Sequence, residues 1–155
     1  HGSGQPLEIH HHRLPPDQRQ EPPEVRLMEI DKPGVLAEVE AVFARYEAAL
    51  VGNDVAVLDE LFCSEQTTIR YGMGENLYGS AEILAFRKAR PSAGLQRRLA
   101  RTVITTYGRD FATASTLFYR DSAPGKVGRQ MQSWVRMPEG WRVVAAHVSM
   151  IDEPA

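Results

Sequence analysis

The chain has 155 residues, 43% hydrophobic and 25% charged, with 18 basic against 20 acidic side chains and a formal charge of −2. That length suits one domain with a real core. No apolar run reaches the roughly 18–20 residues of a membrane span, and the near-neutral charge offers no general attraction to nucleic acid or to an anionic membrane.

The first 24 residues hold five of the ten prolines and four of the five histidines: His1, His10, His11 and His12. Such a stretch buries too little apolar surface to offset its ordering entropy, so residues 1–27 read as an extended or disordered arm. Three adjacent histidines are read as a tag remnant or solvated tail rather than a metal site. Cys63 stands alone, and no Cys/His cluster has zinc-site spacing, so neither metal nor cofactor is expected. The arm lacks a basic segment followed by an apolar one, which argues against a secretory signal, and with the unpaired cysteine this points to a cytoplasmic protein. Beyond residue 24 the charges balance at 16 basic and 16 acidic residues. A single domain is expected over residues 28–152, with 153–155 as a tail.

Asp31 and Pro33 are helix-start residues, and apolar side chains then recur at Leu36, Val39, Phe43, Tyr46 and Leu50, the spacing of one buried helical face. Gly52 is expected to end that helix in the left-handed conformation. Asp54 can cap a short second helix with Val55, Leu58, Leu61 and Phe62 facing inward. Thr67–Tyr71 reads as a strand and Gly72–Gly79 as a turn. A third helix, capped by Ser80, runs through Ile83, Leu84 and Phe86 and ends before Pro91.

Four long strands follow at Arg97–Tyr107, Phe111–Arg120, Val127–Met137 and Trp141–Ile151, joined by turn signals. Short connections imply an antiparallel meander. The fold class is therefore α+β: three N-terminal helices packed on a curved antiparallel sheet, with a cavity at its open end.

The stretches MEIDKPGVLAEV (28–39), RYGMGENLYG (70–79), RTVITTYGRDFATAST (101–116) and GRQMQSWVRMPEGWRVVAAHVS (128–149) resemble the HpxZ/AtzH group. These are SnoaL-like proteins with the cystatin-like α+β cone shared with nuclear transport factor 2 and ketosteroid isomerase. The resemblance covers about residues 28–152. It implies a functional link to amidase-signature enzymes and a role in nitrogen-compound catabolism. It further implies a hydrolytic or decarboxylating step on a small urea-like acid, such as a 1,3-dicarboxyurea or oxalurate, with Tyr46 and Arg70 as the important pair.

The residues bear on this independently. Arg70 points to the strand face opposite Ile69 and Tyr71. If that face is interior, the guanidinium needs an anion, either a substrate carboxylate gripped by its planar fork or a helix carboxylate such as Glu47; the alternative is plain surface exposure. Tyr46, on the buried helical stripe, is either a core residue or a hydroxyl aimed into the cone as an acid or hydrogen-bond donor. On the last strand Trp141, Val143, Ala145, His147 and Ser149 alternate onto one face, moving from apolar to polar. Gln130, Gln132 and Trp134 form a matching set on the neighbouring strand. Together Gln130, Gln132, Trp134, His147 and Ser149 are candidate substrate-binding residues. The alternative is that His147 and the glutamines satisfy one another inside the sheet.

Residues 97–109, 111–120, 125–138 and 140–151 contain no Asp or Glu. Isomerase and epoxide-opening chemistries, which need a carboxylate on the sheet, are therefore disfavoured. His147 and Ser149 lack an orienting carboxylate and make a poor nucleophile triad. The expected mechanism has Arg70, aided by Gln132 or His147, holding a substrate carboxylate while Tyr46 protonates or hydrogen-bonds the nitrogen or carbonyl where charge develops. The rival is a non-catalytic metabolite-binding module, or an accessory protein to a neighbouring amidase. Met131, Ser133, Val135, Val144, Ala146 and Val148 are expected to form an apolar outer face that packs against a second copy, giving a homodimer.

Overall fold

In a computed structural model, which describes residues 28–154, the chain enters the fold through Asp31. Asp31 does not cap the first helix. Its backbone is left-handed (φ 56°), its N–H donates to the Thr106 carbonyl at 3.0 Å, and its Oδ1 accepts from the Thr106 N–H at 2.9 Å. This pins the chain entry to the sheet, and helix α1 (Pro33–Val51) then starts on Pro33, whose fixed φ suits a first helical position. The buried stripe is Val35, Val39, Phe43, Tyr46, Ala49 and Leu50, so Val35 rather than Leu36 opens it. Gly52 closes the helix in a right-handed conformation (φ −82°), and the reversal falls one residue later on Asn53 (φ 50°), a residue type that tolerates it.

Asp54 caps α2 (Val55–Leu61) through Val57 N–H at 3.2 Å. Strand β1 (Ile69–Tyr71) is shorter than the sequence suggests. The supposed turn after it contains a second strand, β2 (Asn76–Tyr78), antiparallel to β1. Helix α3 (Ser80–Ala89) is entered from Gly79 (φ 88°); Ser80 makes no capping bond, and Glu82 instead accepts from Tyr78 N–H at 2.7 Å. Strands β3 (Arg98–Tyr107), β4 (Phe111–Tyr119), β5 (Lys126–Met137) and β6 (Gly140–Asp152) form the expected meander. The sheet order is β2-β1-β6-β5-β4-β3, antiparallel except that β1 runs parallel to β6. The arm, with His10–His12, lies outside the described residues. Among those that are described, no helix is long and apolar enough to cross a membrane.

The register of the sheet shifts at two bulges. In β3, Arg101 (φ 51°) and Thr102 are the extra backbone between the pairs Ala100–Leu117 and Val103–Ser115. In β6, Ser133 pairs with Ala145 but Trp134 pairs with Val143, so Val144 has no partner. An extra residue in a period-two strand reverses every later side chain. Trp141 and Val143 point inward, and beyond Val144 it is Ala146 and Val148 that are buried. This corrects the predicted alternation. Ala145, His147 and Ser149 lie on the outer face, while Ala146 and Val148 leave it.

The concave face packs Phe118 edge to backbone against Gly128, where an added Cβ would collide with the ring. Phe118 has no exposed surface. Gly128→Ala should therefore overpack the core and destabilise the fold by about 1–3 kcal/mol, measured by urea denaturation; an unchanged midpoint would show that the ring can retreat.

Candidate functional site

Tyr46 and Arg70 line one cavity of about 130 Å³ between α1, β1, α3 and the approaches to β3 and β5. At about 30 Å³ per water, that is the space of roughly four waters, which suits a small ligand. Leu50, Phe86 and Leu95 supply apolar wall; Arg90, Arg97 and Arg120 complete a basic one.

Each arginine is positioned differently. Arg97 is fully engaged: its Nε and Nη2 grip Glu47 at 2.9 and 2.6 Å, and Nη2 also donates to Gln130 Oε1 at 3.0 Å. Glu47, a candidate partner for Arg70, is thus taken by Arg97. Arg70, only 7% exposed, uses Nη1 to donate to Glu75 Oε1 at 2.8 Å. Glu75 is steadied by Gly74 N–H at 3.1 Å, and a side chain at Gly72 would run into its carboxylate. Arg87, 1% exposed, lies beside Tyr46, yet none of its three side-chain nitrogens has a partner in hydrogen-bond geometry. Arg90 Nε and Nη2 and Arg120 Nε are likewise buried without partners.

Aromatic faces hold the cations where carboxylates do not. Phe86 meets Arg70 (5.1 Å) and Arg90 (5.8 Å), Phe118 meets Arg97 (4.7 Å) and Arg120 (5.1 Å), and Phe62 lies under Arg87 (4.6 Å). Four arginines line the cavity, and Arg70 and Arg97 are paired with Glu75 and Glu47, which leaves Arg90 and Arg120 without a bonded carboxylate among the described residues; Arg87, beside Tyr46 but outside the wall, has the charge of Asp59 within reach. Burial drives the acid constants of Arg87, Arg90 and Arg120 down, with neighbouring guanidiniums adding to it; Arg90 is pushed down to about 10. For the Tyr46 phenol, burial pushes up, but the charges of Arg87, Arg70 and Arg97 outweigh it and bring the phenol below its ordinary value.

The other predicted residues separate into two groups. Gln130, Gln132 and Trp134 are buried on the inner face behind the cavity rather than in its wall. Gln130 braces Arg97, Gln132 Oε1 accepts from Trp134 Nε1 at 3.0 Å, and Trp134 meets the Tyr46 ring edge-on at 6.3 Å. His147 and Ser149 are on the opposite side of the sheet: His147 stacks edge-on to Tyr71 at 6.2 Å, and Ser149 accepts from Arg129 Nε at 3.1 Å. Arg87, Arg90, Arg97 and Arg120 were not anticipated. Arg87 had one legible signal, because it falls four residues after Ile83 on the buried face of α3.

The Tyr46 shift has a consequence for stability. Its folded acid constant is below the unfolded one, so its stabilising effect is complete above about pH 10 and is lost as pH falls through the folded value. The stability of the parent chain relative to Tyr46→Phe should therefore rise from neutral pH towards about pH 10. Urea denaturation across that range measures this; a flat difference would contradict the assigned environment.

Known proteins give this geometry a context. A structure of a DUF3225-family protein of unknown function from Pectobacterium atrosepticum is 65% identical, with a TM-score of 0.78 over 79% of this chain and 95% of that one. A cystatin-like fold protein from Burkholderia xenovorans is 46% identical, with a TM-score of 0.79 over 83% of this chain and 100% of the other. An NTF2-like protein with a cystatin-like fold from Novosphingobium aromaticivorans shares the fold at 22% identity, with a TM-score of 0.58 over 77% and 83% of the two chains. Among curated proteins none matches significantly. The AtzH-like family model matches residues 28–154, and the chain belongs to the AtzH-like family.

Proposed function

We propose that the protein is an enzyme of nitrogen-compound catabolism acting on a small carboxylated urea-type acid. The observation that carries this is that a cavity of about 130 Å³ lined by Tyr46 holds four arginines, of which Arg90 and Arg120 have no bonded carboxylate among the described residues. Buried cations without counterions are strongly unfavourable, and a carboxylated ligand supplies the missing charge. Arg70 retains donors beyond the Nη1 bond to Glu75 and is placed to fork a carboxylate.

Tyr46 is the proton donor of this reading. In an N-carboxylate, protonation of nitrogen lets the C–N bond break; its electron pair stays on nitrogen and the carboxylate leaves as carbon dioxide. The same arginines that lower the phenol's acid constant stabilise the phenolate left behind, which then recovers a proton from water. Neither carboxylate of the site is free to serve as an orienting acid: Glu47 is held by Arg97 and Glu75 by Arg70.

Purified protein should speed the loss of a 1,3-dicarboxyurea above its spontaneous rate. Tyr46→Phe should lower kcat by about 10²–10⁴-fold, the usual range for a general acid, with the fold intact by circular dichroism. Binding in calorimetry without acceleration would make the protein a metabolite-binding or accessory module instead.

The outer face supports a homodimer in the same reading. Tyr71, His147, Met131, Ser115 and Val103 form one cross-strand row over five strands, with Met131 60% and Val103 59% exposed. A second copy packed sheet to sheet would cover them. Light scattering should report a dimer that Met131→Asp weakens; a monomeric parent chain would rule this arrangement out.

A further inference from the structure

We propose that Arg87 is a positioning residue for Tyr46: from behind the cavity wall, its guanidinium receives the phenolate oxygen that forms when Tyr46 gives up its proton. This rests on the reading of Tyr46 as the proton donor and adds to it a residue that no ligand touches.

Arg87 is a buried charge out of a ligand's reach. It is 1% exposed and does not line the cavity, and its three side-chain nitrogens are shielded without a hydrogen-bond partner among the described residues. Asp59 on α2 lends a charge but no bond. Solvent cannot satisfy such donors, and an unpaired charged group in the interior is costly. The polar side chain that Arg87 lies against is Tyr46.

One ring places the two side chains. Phe62 carries the Arg87 guanidinium at 4.6 Å and meets the Tyr46 ring at 6.2 Å. Phe62 is itself 2% exposed and bridged to Val143 of β6, and the N–H of Cys63 donates to the Val143 carbonyl at 2.9 Å. The platform is thus tied to the sheet. Arg87 reaches it because it follows Ile83 by one turn on the buried face of α3.

The arrangement favours the ionised phenol over the neutral one. Beside the neutral hydroxyl the guanidinium completes no hydrogen bond, whereas a phenolate oxygen is a much stronger acceptor and draws a charge-assisted one. An interaction made only as the proton leaves lowers the barrier without stabilising the resting state. In the transfer the Tyr46 O–H bond breaks, the proton goes to the ligand nitrogen and the electron pair stays on oxygen. Arg87 keeps all its protons.

The other charges around the phenol change when a ligand arrives. Arg70 and Arg97 already share their charge with Glu75 and Glu47, and Arg90 and Arg120 lie in the wall, where a bound carboxylate offsets them. Arg87 stands beyond that ligand, so its pull on the phenol persists in the complex. Burial pushes the acid constant of Tyr46 up, and Arg87 is foremost among the charges that bring it down.

The near-ultraviolet absorbance of tyrosinate, taken as the difference from the matching Tyr46→Phe variant, reads the titration of Tyr46 in the full chain without substrate. Arg87→Gln should raise that titration by about 1 pH unit or more, the scale of one neighbouring charge. Arg70→Gln should leave Tyr46 below an ordinary tyrosine, and Arg45→Gln, from an exposed pair with Glu60, should not move it. An unmoved titration in Arg87→Gln overturns the proposal. So does a full return to the ordinary value in Arg70→Gln, which decides the matter even where Arg87→Gln fails to fold. In turnover Arg87→Gln should lower kcat by about tenfold or more and leave KM within about twofold, because it contacts no ligand. The expected titration in a protein that turns over no 1,3-dicarboxyurea would sink the enzymatic reading and leave the pairing of Arg87 with Tyr46 standing.

Discussion

The repulsion among five guanidiniums gathered about one phenol is the constraint that the rest of this structure answers. Like charges in a partly dry interior separate or recruit anions, and the fold does both. Glu47 on α1 and Glu75 before β2 neutralise two of them; three phenylalanine faces hold all five in place. The aromatic contacts are worth about 0.5–2 kcal/mol each. That is enough to fix a direction but too little to discharge a buried cation. The positive charge left over is what the proposed carboxylate ligand would neutralise.

Much of this architecture was legible in the sequence because it rests on period and punctuation. The four long strands fall within a residue or so of where their turns put them, and the stripe through Val39, Phe43 and Tyr46 defines the buried face of α1. The neighbours of Arg70 set it on the strand face opposite Ile69 and Tyr71 but left open whether that face is interior; the structure turns it inward, into a cavity it shares with Tyr46. What was hidden depends on long-range geometry. No local signal tells that Glu75 rather than Glu47 reaches Arg70, because that follows from how the β1–β2 turn folds back over Gly72. Arg90, Arg97 and Arg120 sit at element ends, where periodicity says nothing about which way a side chain turns. His147 and Ser149 were displaced by a bulge that the sequence does not announce: Val143–Val144 is as regular a strand segment as any other.

The inner face of the sheet shows how one cone can serve different chemistries without changing its frame. Asp152, exposed at the end of β6, is the one acidic residue of its strands, so what the inner face contributes is amide and aromatic support: Gln130 to Arg97, Gln132 to Trp134, and Trp134 to Tyr46. The charged character of the cavity then comes from Arg70 on β1 and from residues of the helices and loops beside it, among them Arg90 and Glu75. Likeness to an NTF2-like protein shows the fold, while the arginine set gives this chain's cavity its own character.

Val144 carries a lesson for comparing relatives of this chain. A strand has parity, and one unpaired residue inverts it for everything downstream. If a relative lacks that residue, an alignment that opens its gap a few positions away will match buried side chains of β6 with exposed ones. Residues such as Ala146 and His147 would then exchange apparent roles although neither protein had changed its chemistry. Register against β5, with Ser133 opposite Ala145 and Trp134 opposite Val143, is the coordinate by which positions in this strand are properly equated.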